Sequence, residues 1–233
     1  MFMTFAALAS SNQHKLNFQF QEIVNAQGYK QGWIEMLYRP NNLKGYPNVE
    51  KYFKALSTLQ KVELDIRIFE QINANLSSKK PNRLSVNLMP FTLLSPQFRA
   101  SFRLLMDHKI IDPNLLCIEI VESDSLPPLC SDSIDLLKTF RAQGGWIALD
   151  DFGTGFAHWE LLQIELIDVI KVANQNLRHL GNKGFTYGLA KFARSLNITS
   201  VLEGVETEED FINGVELGFD HFQGWHFNQE QTQ

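Results

Sequence analysis

Charged and amide side chains interrupt the apolar stretches of this chain where an unpaired buried charge would cost several kcal/mol. Glu35 stands in GWIEMLYR, Asn87 in LSVNL, and Glu119 and Glu122 in CIEIVE. Asp150 and Asp151 close WIALDD, Lys171 stands in DVIKV, Glu203 closes SVLE and Gln223 closes FDHFQ. Taken singly, each has a plainer explanation. Glu35 suits a salt-bridged core group, Asn87 a turn amide, the aspartate pair a cap for a helix beginning near Phe156, and Lys171 a core ion-pair partner. Taken together, carboxylates gathered at one place repel each other unless cations intervene. Carboxylate and amide oxygens without thiolate or imidazole favour Mg²⁺ or Mn²⁺, with Ca²⁺ as a non-productive competitor. Two such ions sharing a carboxylate clamp the attacking and leaving oxygens of a phosphodiester and acidify bound water. The Lys171 ammonium can hold that water, and Arg39, four residues after Glu35, offers a bidentate guanidinium for phosphate.

These residues converge only if the elements carrying them do. Short apolar runs at 17–24, 33–38, 84–88, 115–121, 146–150, 168–172, 200–203 and, more weakly, 218–223 have the composition of buried strands. Helical spacing fills 49–76 (with one interruption), 91–108, 132–141, 187–196 and 207–217. Pro90 suits the start of the second and Gly144-Gly145 the stop of the third. Alternation of this kind implies parallel strands joined by helical crossovers. The first two runs are separated by a gap too short for a crossover, containing Gly28 and Gly32, so they pair antiparallel. The predicted architecture is an α/β barrel of eight strands with a reversed first strand. An open doubly wound sheet is the alternative. In a barrel the C-terminal strand ends meet on one face, where all the residues named above would gather.

Length and charge agree with this. A chain of 233 residues with 44% hydrophobic residues suits one α/β domain, 1–233, without a linker. The net charge of −5 argues against a polynucleotide partner, and no apolar run is long enough to span a membrane. Residues 1–10 are apolar but lack the basic start of a signal peptide, and read as an opening amphipathic helix. Cys117 and Cys130 have neither disulfide-rich nor zinc-type spacing, which fits a reducing cytoplasm.

EMLYR, SVNLMP, IEIVE, ALDDFGTG, DVIKV, LEGVET and GFDHFQG, in this order, resemble the successive motifs of the EAL-domain family of cyclic di-GMP phosphodiesterases. The resemblance runs from about residue 5 to residue 228. It implies a TIM-like (β/α)8 barrel with an antiparallel first strand, and hydrolysis of cyclic di-GMP to linear pGpG. It implies that Glu35, Asn87, Glu119 and Asp150 hold one metal ion and that Asp150, Asp151 and Glu203 hold the second. Lys171 matches the lysine that orients the attacking water, Gln21, Arg39 and Gln223 match substrate-side positions, and Glu122 matches the glutamate that anchors the loop after DDFGTG.

The chain also departs from the family pattern. The signature Glu-Ala-Leu reads Glu35-Met36-Leu37, and Lys-Ile-Asp reads Lys171-Val172-Ala173. The usual Tyr-Ser-Ser-Leu reads Phe156-Ala157-His158-Trp159, Glu22 replaces a proline, and the last motif ends Asn228-Gln229-Glu230 without its proline. The altered loop predicts a change in a homodimer surface at Trp159, or else burial of Trp159 against the barrel. Two other functions compete: a regulator that binds cyclic di-GMP or a protein partner without turnover, and a single-metal barrel enzyme abstracting a proton with Lys171. The second leaves Asn87 and the paired Asp150-Asp151 without a role.

Overall fold

The computed structural model describes residues 15–122, 128–153, 158–174 and 183–228. The expected helix at 1–10, Phe156 and Ala157 of the altered loop, and Gln229-Glu230 lie outside them. Eight strands close into a barrel in sequence order. They are β1 (Phe18–Asn25), β2 (Lys30–Tyr38), β3 (Arg83–Leu88), β4 (Leu116–Val121), β5 (Trp146–Asp150), β6 (Val169–Ala173), β7 (Thr199–Glu203) and β8 (His221–Gln223). The strand β1 runs antiparallel to both neighbours, and every other pair is parallel. Closure removes the exposed edges that the open doubly wound alternative would have kept.

Helices cover the outside: α1 (Val49–Ala55), α2 (Thr58–Glu70), α3 (Ile72–Lys79), α4 (Pro96–Asp107), α5 (Ser131–Ala142), α6 (Trp159–Gln163), α7 (Lys183–Ser195), α8 (Glu208–Leu217) and α9 (Trp225–Asn228). The stretch expected as one helix with one break is broken twice. Ser57 caps a new helix through a capping box with Gln60, and Gln71 separates α2 from α3. The stretch at 91–108 is likewise divided: Pro90–Leu94 forms a 3₁₀ turn, and Ser95 accepts from the Phe98 N–H to restart the chain as α4. A second capping box, Thr207 with Asp210, opens α8, and Gly218 at φ 88° ends it. The strand β8 is shorter than the expected run because Gly218 and Phe219 close this helix end, with Phe219 N donating to Gly214 O, and Asp220 is bonded to Ser200 of β7.

The pleat sorts side chains into two cores. Outward-facing residues such as Ile34, Met36, Leu84, Val86, Ile118, Ile120 and Leu202 pack with Phe69, Phe98, Phe102 and Phe140 of the helices. The smaller core fills the barrel itself with Ile23, Trp33, Cys117, Ala148, Val169 and Val201. Trp33 also donates from Nε1 to the buried Ser85 hydroxyl at 2.9 Å. Met36, which stands where the family signature has alanine, is 2% exposed and belongs to the outer core. Met36→Ala is therefore expected to keep divalent-cation binding while lowering unfolding free energy by about 2–5 kcal/mol. A folded variant with impaired cation binding, measured by calorimetry, would place Met36 in the site instead.

Candidate active site

One pleat beyond the inner core, two positions further along each strand, stand the predicted residues. Trp33 is followed by Glu35, Ser85 by Asn87, Cys117 by Glu119, Ala148 by Asp150, Val169 by Lys171, Val201 by Glu203 and His221 by Gln223. Because β1 runs backwards, its contribution lies two residues before Ile23, at Gln21, which pairs in register with Glu35. The layering of a filled barrel thus carries eight polar side chains to one end.

At the centre is Lys171, fully buried. Its Nζ donates to Glu119 Oε2 at 2.7 Å and Glu35 Oε2 at 3.1 Å. It also lies 2.7 Å from Glu203 Oε1 and 3.5 Å from Asp150 Oδ1. Asn87 Nδ2 donates to Glu35 Oε1 at 2.7 Å. Gln223 Nε2 donates to Glu35 Oε2 and to Gln21 Oε1. Four carboxylates therefore share one ammonium.

The acidities follow. Burial alone would lower the Lys171 pKa, but Asp150, Glu119, Glu203 and Glu35 together hold it well above the ordinary lysine value. Burial would raise Glu35, but Lys171, Gln223 and Asn87 overcome that and keep its pKa low. Glu119 is pushed up to about 8, first by burial and then by the Glu35 charge. Glu203 is raised well above the carboxylate range, chiefly by burial. Desolvation in the mouth and then the Asp150 charge lift the Asp151 carboxyl to about 6, although the residue as a whole is exposed. A single ammonium does not neutralise this cluster.

The donor set fits hard cations. Among the described residues, the buried oxygens Asn87 Oδ1, Glu119 Oε1 and Gln223 Oε1 have no hydrogen-bond partner, and Asp150 Oδ1 has only the 3.5 Å approach of Lys171 Nζ. Buried acceptors without donors are costly, and an oxygen-seeking cation would satisfy them. No group of three or more His, Cys, Asp or Glu among the described residues is already drawn together as a metal cage. The carboxylates are gathered on Lys171.

The loop after β5 is pinned beside this cluster. Asp151 adopts φ 54°, a left-handed conformation that aspartate tolerates better than most residues. Phe152 N donates to Lys171 O at 2.9 Å, and Gly153 N to Glu122 Oε2 at 3.2 Å. Buried Glu122 thus meets the backbone at the start of that loop. His158 is not part of an altered surface. It is 2% exposed, with Nε2 at 3.2 Å from Val121 O. Trp159 is half exposed and leans edge-on against Phe152 and Phe192.

A cavity of about 310 Å³ opens over the cluster, lined by Gln21, Glu35, Asn87, Asp150, Asp151, Glu203 and Gln223. Leu37, Ala173, Asn174, Gly204, Gly224 and Trp225 complete its wall. Arg39 does not line it: the guanidinium donates from Nε to Gln19 Oε1 at 2.9 Å, further out along the β1–β2 pair. Asn174 and Trp225 carry no signal in composition or periodicity, since both follow strand ends. Gly204 and Gly224 stand beside Glu203 and Gln223 in the motifs. Gly224 is required by packing, because a Cβ there would meet Val205 O at 2.1 Å. Asp65 of α2 is a further silent contributor. Its buried carboxyl, pushed up to about 7 by burial, accepts from Met89 N at 3.0 Å and from the Thr92 hydroxyl, and so fixes the turn after Asn87.

Residues 6–230 match the EAL domain family, which covers nearly the whole chain. The chain belongs to the EAL domain family. Among curated relatives it is 27% identical over 229 residues to a probable cyclic di-GMP phosphodiesterase, PdeA of Escherichia coli, and 28% identical over 166 residues to PdeB of the same organism, described in the same words. These alignments take in 94% and 70% of this chain but only 31% of either relative, so the EAL domain described here spans under a third of their length. Among solved structures it resembles Klebsiella pneumoniae BlrP1 in a manganese and cyclic di-GMP complex, with a TM-score of 0.74 and 26% identity over 92% of this chain and 55% of that one. A standalone EAL protein from Vibrio cholerae bound to cyclic di-GMP shares the fold, with a TM-score of 0.72 at 19% identity over 92% of both chains. No helix among the described residues is long and apolar enough to cross a membrane.

Proposed function

We propose that this EAL domain hydrolyses cyclic di-GMP to linear pGpG with the help of two divalent cations, Mg²⁺ or Mn²⁺. The observation that carries the reading is the surplus of buried oxygen acceptors, four carboxylates and an amide against one ammonium, at the mouth of a barrel of this family. Glu35, Asn87, Glu119 and Asp150 would hold one cation, and Asp150, Asp151 and Glu203 the other. Bound there, the cations would supply Lewis acidity toward the phosphodiester and make a bound water acidic enough to ionise.

The chain's own side chains do the rest. Lys171 Nζ, fixed from below by β6, donates a hydrogen bond to the oxygen of the attacking water and holds it in place. Gln223 and Gln21 form an amide pair at one wall of the cavity and orient the substrate, while Arg39, held by Gln19 outside that wall, would reach phosphate only by leaving this partner. Glu122 keeps the loop carrying Asp151 in place. Support for cyclic di-GMP as the ligand comes from BlrP1, solved with that dinucleotide and with manganese or calcium, and from the relatives' names. Calcium would occupy the site without supporting turnover.

One observation favours a second reading, binding of the dinucleotide without hydrolysis: Lys171 already engages the carboxylates that the cations would need. The readings separate when purified protein is incubated with cyclic di-GMP and Mn²⁺ or Mg²⁺. Appearance of pGpG, absent with chelator, supports hydrolysis. Binding with no pGpG in either metal supports the regulator.

A further inference from the structure

Among the proposed cation ligands Asn87 alone is neutral, and its placement depends on groups outside the cavity. It stands near the end of β3, in register with Glu119 of β4. On its other side the β2–β3 ladder stops one residue short of it, at Met36 and Val86. The bond from Asn87 Nδ2 to Glu35 turns the side chain and leaves Oδ1 buried and unpartnered.

The backbone that carries Asn87 is held from behind. Two residues on, Met89 is still extended, at φ −69° and ψ 136°, and Pro90 follows it with no N–H to give. Asp65 of α2 accepts the Met89 N–H at 3.0 Å, and the same oxygen accepts the Thr92 hydroxyl. Thr92 N in turn donates to Met89 O at 2.9 Å, so the 3₁₀ turn closes on the residue that Asp65 holds. Further round the turn, Leu93 O accepts from Ser133 Oγ of α5 at 2.6 Å and from Arg99 Nη1 of α4 at 3.1 Å.

A carboxylate is a costly choice for the near end of this turn. Asp65 is 4% exposed, and burial lifts its pKa to about 7 although both bonds favour the ionised form. An apolar side chain would serve the packing of α2 with less desolvation. The carboxylate instead ties two donors to one oxygen, one just past the strand and one inside the turn. That limits how far the end of β3 can slide or rotate.

We infer that Asp65 is a positioning residue that holds the end of β3 where Asn87 Oδ1 meets the cation shared with Glu35, Glu119 and Asp150. The inference rests on the proposed two-cation reading and adds to it a residue that touches neither cation nor substrate. A cation tolerates only a few tenths of an ångström in its ligand distances, so groups that fix a ligand from behind govern affinity.

Mn²⁺ binding followed by calorimetry tests the inference on wild type, Asp65→Ala, Asp65→Asn, Asn87→Ala and the Asp65→Ala/Asn87→Ala double variant, each first shown to be folded by circular dichroism. Asp65→Ala is expected to weaken Mn²⁺ binding roughly 10- to 100-fold. Asp65→Asn, which keeps an acceptor for Met89 N, should return to within about threefold of wild type. In the Asn87→Ala background, Asp65→Ala should cost less than about threefold more, because the ligand it positions is gone. Phe102→Leu, a change in the outer core, should lower the melting temperature and leave Mn²⁺ binding unchanged. Wild-type Mn²⁺ affinity in Asp65→Ala overturns the positioning role and leaves the proposed function standing. An equal loss with and without Asn87 overturns it as well, because it marks a general effect on the fold. If Asp65→Ala does not fold, Thr92→Val carries the same cycle: it removes one of the two donors, and a loss of roughly three- to tenfold that disappears without Asn87 is expected. No loss in Thr92→Val then overturns the inference. Wild type that binds no Mn²⁺ overturns the proposed function and the positioning role together.

Discussion

Replacing Lys171 with methionine is expected to destabilise the metal-free protein more than any other single change at the site. Methionine fits the space of the lysine stem but leaves Glu35, Glu119, Asp150 and Glu203 with no counter-charge in a buried cluster. Breaking a buried ion pair from one side costs about 3–5 kcal/mol, because the surviving charges must protonate or repel. For a domain of this size that is a fall in melting temperature on the order of 10 °C. Divalent cations should restore much of the loss, since they supply the positive charge that the variant lacks. Turnover should not return with stability: without the ammonium that holds the attacking water, kcat is expected to stay down by roughly 10²–10⁴-fold. Differential scanning calorimetry with chelator and with Mn²⁺, run beside the turnover assay, reads both effects. A metal-free Lys171→Met protein that melts like wild type would show that the lysine is not the counter-ion of the cluster.

Much of this site is legible in the sequence because a barrel strand repeats every two residues. A charge such as Glu119 or Lys171 inside an otherwise apolar run must either face the barrel axis or be paid for by a partner, and the alternation leaves only the axis. The reversed β1 is legible for a different reason, the short glycine-bearing gap before β2, and it alone explains why Gln21 reaches the level of Glu35. The breaks between the helices are harder to see: Ser57, Gln71 and Ser95 act through capping geometry within stretches whose apolar spacing continues across them. Asp65 is invisible for a similar reason. It looks like one more acid on an amphipathic helix, and only the tertiary contact with Met89 and Thr92 gives it a role. Arg39 shows the limit of spacing as an argument. It lies on the same face as Glu35 and Leu37, but its guanidinium is held by Gln19 outside the cavity wall. His158, one of the replaced residues of the altered loop, is an interior group tied to β4, which no pattern of spacing reveals.

Glu35→Ala is expected to abolish hydrolysis while leaving the metal-free fold intact, the opposite balance to Lys171→Met. Among the described residues, Glu35 is the one side chain bonded to Lys171, Asn87 and Gln223 at once, and its low pKa keeps it ionised. Alanine removes both a proposed cation ligand and the anchor for two amides. Loss of one cation forfeits several kcal/mol of transition-state stabilisation, so kcat should fall roughly 10³-fold or more. Stability should respond differently, because the cluster carries surplus negative charge. The Glu35 charge is the second cause, after burial, of the raised Glu119 pKa, so its removal relieves repulsion that the lost hydrogen bonds only partly offset. Glu35→Gln sharpens the test by keeping the shape and an acceptor for Lys171 while deleting the charge. Its metal-free melting temperature should equal or exceed that of wild type, its binding of Mn²⁺ should be weakened, and its turnover should be lost. Wild-type turnover in either variant would remove Glu35 from the catalytic site. Intact Mn²⁺ binding with lost turnover would instead assign Glu35 a role in orienting Lys171 rather than in holding the cation.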